Sequence, residues 1–218
     1  STQWDTANIG NYSVAMGQST TASGIVSTAM GFSTTASGYG STAIGYGTTA
    51  SNHYSTAMGI NTTASGTYST AMGGYTSASG TYSTAMGHGA TASGDYSTAM
   101  GNSTTAQAYA STVLGRYNVI SGTTDSWVAT DPIFSIGIGS NTSNRANAMT
   151  VLKNGNVGIG TTSPSTLLQL GQVGTAGTLG IAGSTSGLVT LQTAAAVCKV
   201  TRSEEHTSEL QSRIPSSY

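Results

Sequence analysis

The chain has 218 residues, 30 of them glycine, and only 6% are charged, for a formal net charge of −1. Ordinary soluble domains carry about 25% charged residues, so this composition excludes an acidic or basic tail and argues against nucleic-acid binding, which needs clustered Lys and Arg. The chain is poor in the Pro, Glu and Lys that mark disorder. It also holds no apolar run of the roughly 20 residues a membrane helix needs, and its single cysteine, Cys198, excludes an intrachain disulfide framework.

The first 115 residues are periodic. "STAMG" or a close variant begins at Ser13, Ser27, Ser41, Ser55, Ser69, Ser83, Ser97 and Ser111, every 14 residues and without an insertion. Each copy divides into two similar halves, "STAMGIN" and "TTASGTY" in Ser55–Tyr68, and alanine recurs every seven residues from Ala15 to Ala106. A coiled coil needs two apolar heptad positions among helix formers, whereas here Gly, Ser and Thr dominate and each helix-interior glycine costs about 1 kcal/mol. The β reading fits: Thr is β-branched, "STAM" alternates, and Gly ends each five-residue run. A fixed period with two short strands per copy predicts a β-solenoid whose coils stack at about 4.8 Å.

Alternation then assigns side-chain directions. If Ala57 and Ala64 point inward, the interior is lined by methyl groups only and the two walls lie close together. Outside, the first strand shows Thr56 and Met58, the second Thr63 and Ser65. Over the whole repeat the first strand presents Met16, Met30, Ile44, Met58, Met72, Met86, Met100 and Leu114 in register. At about 1.5–3 kcal/mol per buried side chain, leaving that stripe in water forfeits more than about 10 kcal/mol. An alanine interior cannot compensate, so the stripe is expected to be an association surface and the repeat an obligate oligomer.

The copies "SVAMG", "STAMG" and "STAIG" resemble the repeats of YadA-like head domains in trimeric autotransporter adhesins, over roughly residues 6 to 115. The resemblance implies a left-handed parallel β-roll, three of which pack around a threefold axis, although parallel crossovers in general favour the right hand. It further implies a surface-exposed adhesive head on a stalk with a C-terminal outer-membrane anchor. Neither stalk nor anchor is visible in the sequence, which has no initiator Met or signal-peptide pattern and reads as an internal fragment.

After Gly115 the period breaks. Residues 116–165 are expected to form a neck or connector, with Asn154-Gly155 between "TVLK" and "NVGIG" marking a tight β-hairpin. This block resembles modules of bacterial surface fibres and of phage tail fibres, and is expected to be trimeric like the head. "GIAGSTSGLVTLQTAAA" looks like the start of another fibre module, over about residues 166–200. "RSEEHTSELQS" resembles the translation of a sequencing adapter, and residues 201–218 are set aside as a scar. The architecture expected is thus an all-β, trimeric, parallel β-roll over residues 1–115 with a small β connector after it.

No catalytic constellation is present. There is no G-x-S-x-G elbow, and "GIGTTSP" does not run into a helical pattern as a dinucleotide loop would. His53 and His88 fall in different turns without carboxylates at metal spacing, so they read as solvated turn residues and no metal or other cofactor is expected. Calcium-binding rolls need Asp in every turn, and Asp95 is the one acidic residue between Ser13 and Gly115.

Binding must therefore come from the surface. The turn after each "STAMG" varies most, and Phe32, Tyr46, Ile60, Tyr75 and His88 would form an irregular ridge along one edge of the roll, suited to contacting a surface receptor, matrix protein or glycan. Tolerance of substitution in exposed turns is the bland alternative. In the opposite turn Tyr54, Tyr68, Tyr82 and Tyr96 are expected to stack as a structural ladder. Three functions remain in view. The first is a cell-surface adhesin head that multiplies weak contacts by trimerisation and repetition. The second is a phage tail or receptor-binding fibre carried on a virion. The third is an ice-binding solenoid, suggested by the T-x-S ladder of Thr21 with Ser23 and Thr35 with Ser37.

Overall fold

Alternating Thr, Ala and Met build eight five-residue strands, one per coil, from Val14–Gln18 to Thr112–Arg116. The "TTASG" halves supply two-residue strands from Thr35–Ala36 to Thr105–Ala106. Residues 8–171 are described by the computed structural model; most of the expected third module, Cys198 and the adapter-like tail lie outside the described residues. The long strands pair in parallel, each residue opposite its equivalent one coil on, so that Ala57 faces Ala71 and Met58 faces Met72. The short strands form a second, six-stranded parallel sheet. The described residues contain no helix, and the expected parallel β-roll is the fold observed.

The interior differs from the expected methyl-only lining. Ser55, Ala57, Thr62 and Ala64 are all fully buried, and the same four positions turn inward in successive coils. Ser55 and Thr62 sit two residues before the inward alanines, so the alternation extends beyond the strands into the turns. Ser27, Ser55 and Ser69 satisfy their hydroxyls locally, each donating at 2.7 Å to the carbonyl three residues earlier. The equivalent Oγ of Ser41, Ser83, Ser97 and Ser111 has no hydrogen-bond partner, and neither has Oγ1 of Thr20, Thr34, Thr48, Thr62, Thr76 and Thr104. One coil places Ala90 at this position instead.

Coil spacing depends on a glycine row. Gly59 has φ +122°, and a Cβ there would meet the carbonyl oxygen of Gly73 at 2.0 Å. A side chain at this point would occupy the path of the next coil.

The opposite turn pairs strain with stacking. Tyr54, Tyr68, Tyr82 and Tyr96 all hold positive φ, between 54° and 59°, a conformation that costs a non-glycine residue about 1–2 kcal/mol. Their rings stack at 5.0, 4.8 and 5.1 Å, within 11° of parallel. Tyr39 and Tyr109 close the two ends of the ladder with T-shaped contacts at 5.4 Å. Each aromatic contact contributes about 0.5–1.5 kcal/mol, enough to offset much of the strain beneath it. Loss of water around the stacked ring, with Tyr39 and Tyr68 beside it, raises the Tyr54 phenol above its ordinary pKa.

The period breaks where the short sheet is capped. Asn118, fully buried, accepts from the Thr105 N–H at 2.7 Å and donates to the Thr105 carbonyl at 2.9 Å. Its amide thus replaces the backbone of the missing next strand and covers an open edge. Arg145 braces this cap by donating to the Asn118 carbonyl at 3.1 Å, with its guanidinium 5.9 Å from the centre of the Tyr117 ring. The long sheet continues instead. Pro132–Ile138 pairs in parallel with the last coil, followed by antiparallel Asn147–Leu152 and Val157–Ile159 and parallel Leu168–Leu170. The predicted hairpin is present: Gly155, at φ +91°, donates its N–H to the Leu152 carbonyl at 3.0 Å.

Gly59→Ala is expected to lose about 3 kcal/mol or more in denaturant unfolding. Thr62→Val is expected to stay within about 1 kcal/mol of the parent, because the hydroxyl it removes is unpaired. Tyr68→Ala keeps the left-handed backbone while losing both stacks, whereas Tyr68→Gly relieves the backbone. The alanine variant is expected to be about 0.5–1 kcal/mol less stable than the glycine variant in the same assay.

Candidate functional site

Two outward features of the long sheet bear on function. The first is the apolar stripe. The register places Met16, Met30, Ile44, Met58, Met72, Met86, Met100 and Leu114 in one unbroken row. Met16 is 52% exposed and Met58 39%, whereas the other six are partly buried. Row neighbours about 4.8 Å apart cover one another, so the stripe presents less apolar area than eight independent side chains would.

The row also runs beyond the repeat. Leu114 lies opposite Ile136, Ile136 opposite Met149, Met149 opposite Ile159, and Ile159 opposite Leu170. The repeat does not mark these four residues, because the period is lost after Gly115 and two of the pairings turn antiparallel. The alternation in "IFSIGI" and "NAMTVL" carried the signal, but only pairing places the two runs in line.

The second feature is the edge next to the row. Phe32, Tyr46, Ile60 and His88 share the fifth strand position, with Gly74 between the last two. Phe32 and Tyr46 stack at 5.1 Å and 10°. Tyr75 belongs to the next position, a turn residue at φ 56°, and its ring meets His88 edge-on at 5.5 Å. The five predicted contact residues therefore lie along one edge as two aromatic pairs with the exposed Ile60 between them. From Phe32 to His88 this edge carries no formal charge with His neutral, so its surface is aromatic and apolar.

The two histidines of the roll do not converge. His53 lies on the opposite turn from His88, with Nδ1 3.2 Å from the Asn52 amide oxygen. Among the described residues, no group of three or more His, Cys, Asp or Glu is placed to hold a metal ion. Lys153 tucks its ammonium 5.0 Å from Trp127 and 5.6 Å from Tyr109. Burial lowers its pKa, and Asp131 opposes that shift. This cluster fastens the connector to the loop beneath the last coil.

A search of curated proteins finds no match. The family model of the YadA head domain repeat (2 copies) matches residues 9–31, 22–48, 50–76, 78–104 and 92–117. These matches follow the roll from its first coil to the capping loop and span half of the 218 residues. By its repeat, its register and this match, the chain belongs to the YadA head family.

Proposed function

We propose that the roll is the non-catalytic, surface-exposed head of an adhesin that works as a homotrimer at the cell surface. One observation carries the reading: an unbroken apolar row lies on the outer side of a roll whose interior is already filled by Ser, Ala and Thr. Nothing within the roll can cover that row, whereas three copies facing a common axis would cover it for one another. The family packs in this way. The aromatic edge would then face outward and repeat on three sides. Its rings offer large contact area with few rotors, and threefold repetition raises the effective concentration of each weak contact. The ligand class that fits is a surface receptor, matrix protein or glycan with apolar faces.

In sedimentation velocity the chain is expected to run as a trimer. Met58→Lys, which places a charge in the shared axis, is expected to abolish the trimer and lower the unfolding midpoint; a folded, soluble monomer from that variant would overturn the reading. Phe32→Ala combined with Tyr46→Ala is expected to leave the trimer intact and cut adhesion to matrix-coated surfaces several-fold, measured by retention under flow.

A further inference from the structure

The tyrosine ladder carries a chemistry that its packing role leaves unused. A phenol that loses one electron and its proton becomes a phenoxyl radical, with unpaired spin on the oxygen and on the ortho and para ring carbons. In tyrosine the para carbon already bears the side chain, so two such rings in contact join through their ortho carbons. The coil register sets one phenol ring on the next: Tyr54, Tyr68, Tyr82 and Tyr96 stack at 5.0, 4.8 and 5.1 Å. Each of the four is between 46% and 52% exposed, open to an oxidant arriving from solvent. Tyr46 and Tyr75 are at least as open, but Tyr46 lies on Phe32 and Tyr75 meets His88. Neither of those neighbours has a phenol to oxidise.

We propose that the ladder is a site of oxidative cross-linking, at which a haem peroxidase with hydrogen peroxide joins tyrosines of successive coils as dityrosine. Each ring gives one electron to the oxidant and its phenol proton to water. The two radicals form a carbon–carbon bond between ortho carbons, and each ortho C–H proton is lost as an O–H proton is regained. Two electrons and two protons leave the pair in all, and one peroxide takes them up to become two waters. The fold supplies the encounter. Every ladder tyrosine is fixed at the same turn position with φ between 54° and 59°, so its partner one coil away is always within reach. Coupling within one chain is thereby favoured over the meeting of two molecules. The bond itself needs the rings to swing out of the stack about their side-chain torsions, and the exposed half of each ring leaves room for that motion. Each link ties residues 14 apart and clamps one coil to the next, closing a short loop that also constrains the unfolded chain. These contacts lie within one chain and do not depend on whether chains associate.

The test treats the full chain with a haem peroxidase and limiting hydrogen peroxide, under conditions that couple free N-acetyltyrosine. Any methionine sulfoxide is then reduced, and the chain is cut with cyanogen bromide. Cleavage after Met58, Met72 and Met86 places Tyr54, Tyr68, Tyr82 and Tyr96 on separate fragments. Linked fragments are identified by mass spectrometry, and the joined residues by fragmentation. Links between Tyr54 and Tyr68, Tyr68 and Tyr82, and Tyr82 and Tyr96 are expected to exceed any link through Tyr46 or Tyr75 several-fold. Tyr68→Phe keeps a ring in the stack but no phenol, and is expected to lose the first two links while retaining the third. The proposal is overturned if the chain yields no dityrosine, if Tyr46 or Tyr75 is joined as often as the ladder residues, or if Tyr68 is joined chiefly to Tyr68 of another chain. A link pattern among the other tyrosines that Tyr68→Phe shifts onto Tyr46 or Tyr75, with Tyr82 and Tyr96 unjoined, overturns it as well.

Discussion

The two walls of the roll lie so close together that, apart from Val113 in the last coil, nothing larger than threonine turns inward along the repeat. That narrowness follows from 14 residues having to complete a circuit with two strands and two turns. Five residues make one wall, two make the other, and little length remains to hold the walls apart. A coil of this size cannot enclose a leucine or methionine, so every large apolar side chain is displaced to the outside. The surface of this protein is therefore a product of its interior.

Stability in such a roll is assembled from identical contacts repeated at every coil. Alanine meets alanine, methionine meets methionine and glycine meets glycine, because parallel in-register pairing sets each residue against its equivalent. Repetition also multiplies penalties. Each coil has two turns through the left-handed region, frequently at non-glycine residues, and several coils bury a threonine hydroxyl without a partner. The tyrosine ladder shows how one penalty is offset: the backbone that strains Tyr68 also aligns its ring with Tyr54 and Tyr82. The glycine row shows the opposite case, in which no side chain is tolerable because the neighbouring carbonyl already fills the space.

The two sheets end differently, and the outer face owes its length to that difference. The short sheet is closed by the side chain of Asn118, which satisfies both backbone groups of Thr105 and stops the pairing there. The long sheet is left open, and four connector strands continue it. One stop and one continuation turn a periodic roll into a continuous outward face without repeating the coil. The apolar row and the aromatic edge then lie on adjacent parts of that face.

Much of this was legible in the residues. The fixed spacing of Ala57, Met58 and Gly59 with their equivalents determined the strands, the parallel register, the inward alanines and the outward methionines, because alternation in a strand leaves no freedom once one residue is assigned. The hairpin at Asn154-Gly155 was equally local. The buried Ser55 and Thr62 could have been read from the same alternation extended by two residues. What only the tertiary structure decided is long-range. Asn118 shows no local sign of being a cap, since its role exists only against the edge of Thr105. Tyr75 meets His88 only because successive coils stack in register. Ile136, Met149, Ile159 and Leu170 share no period with the methionine row, and only strand pairing across irregular connections brings them into line with it.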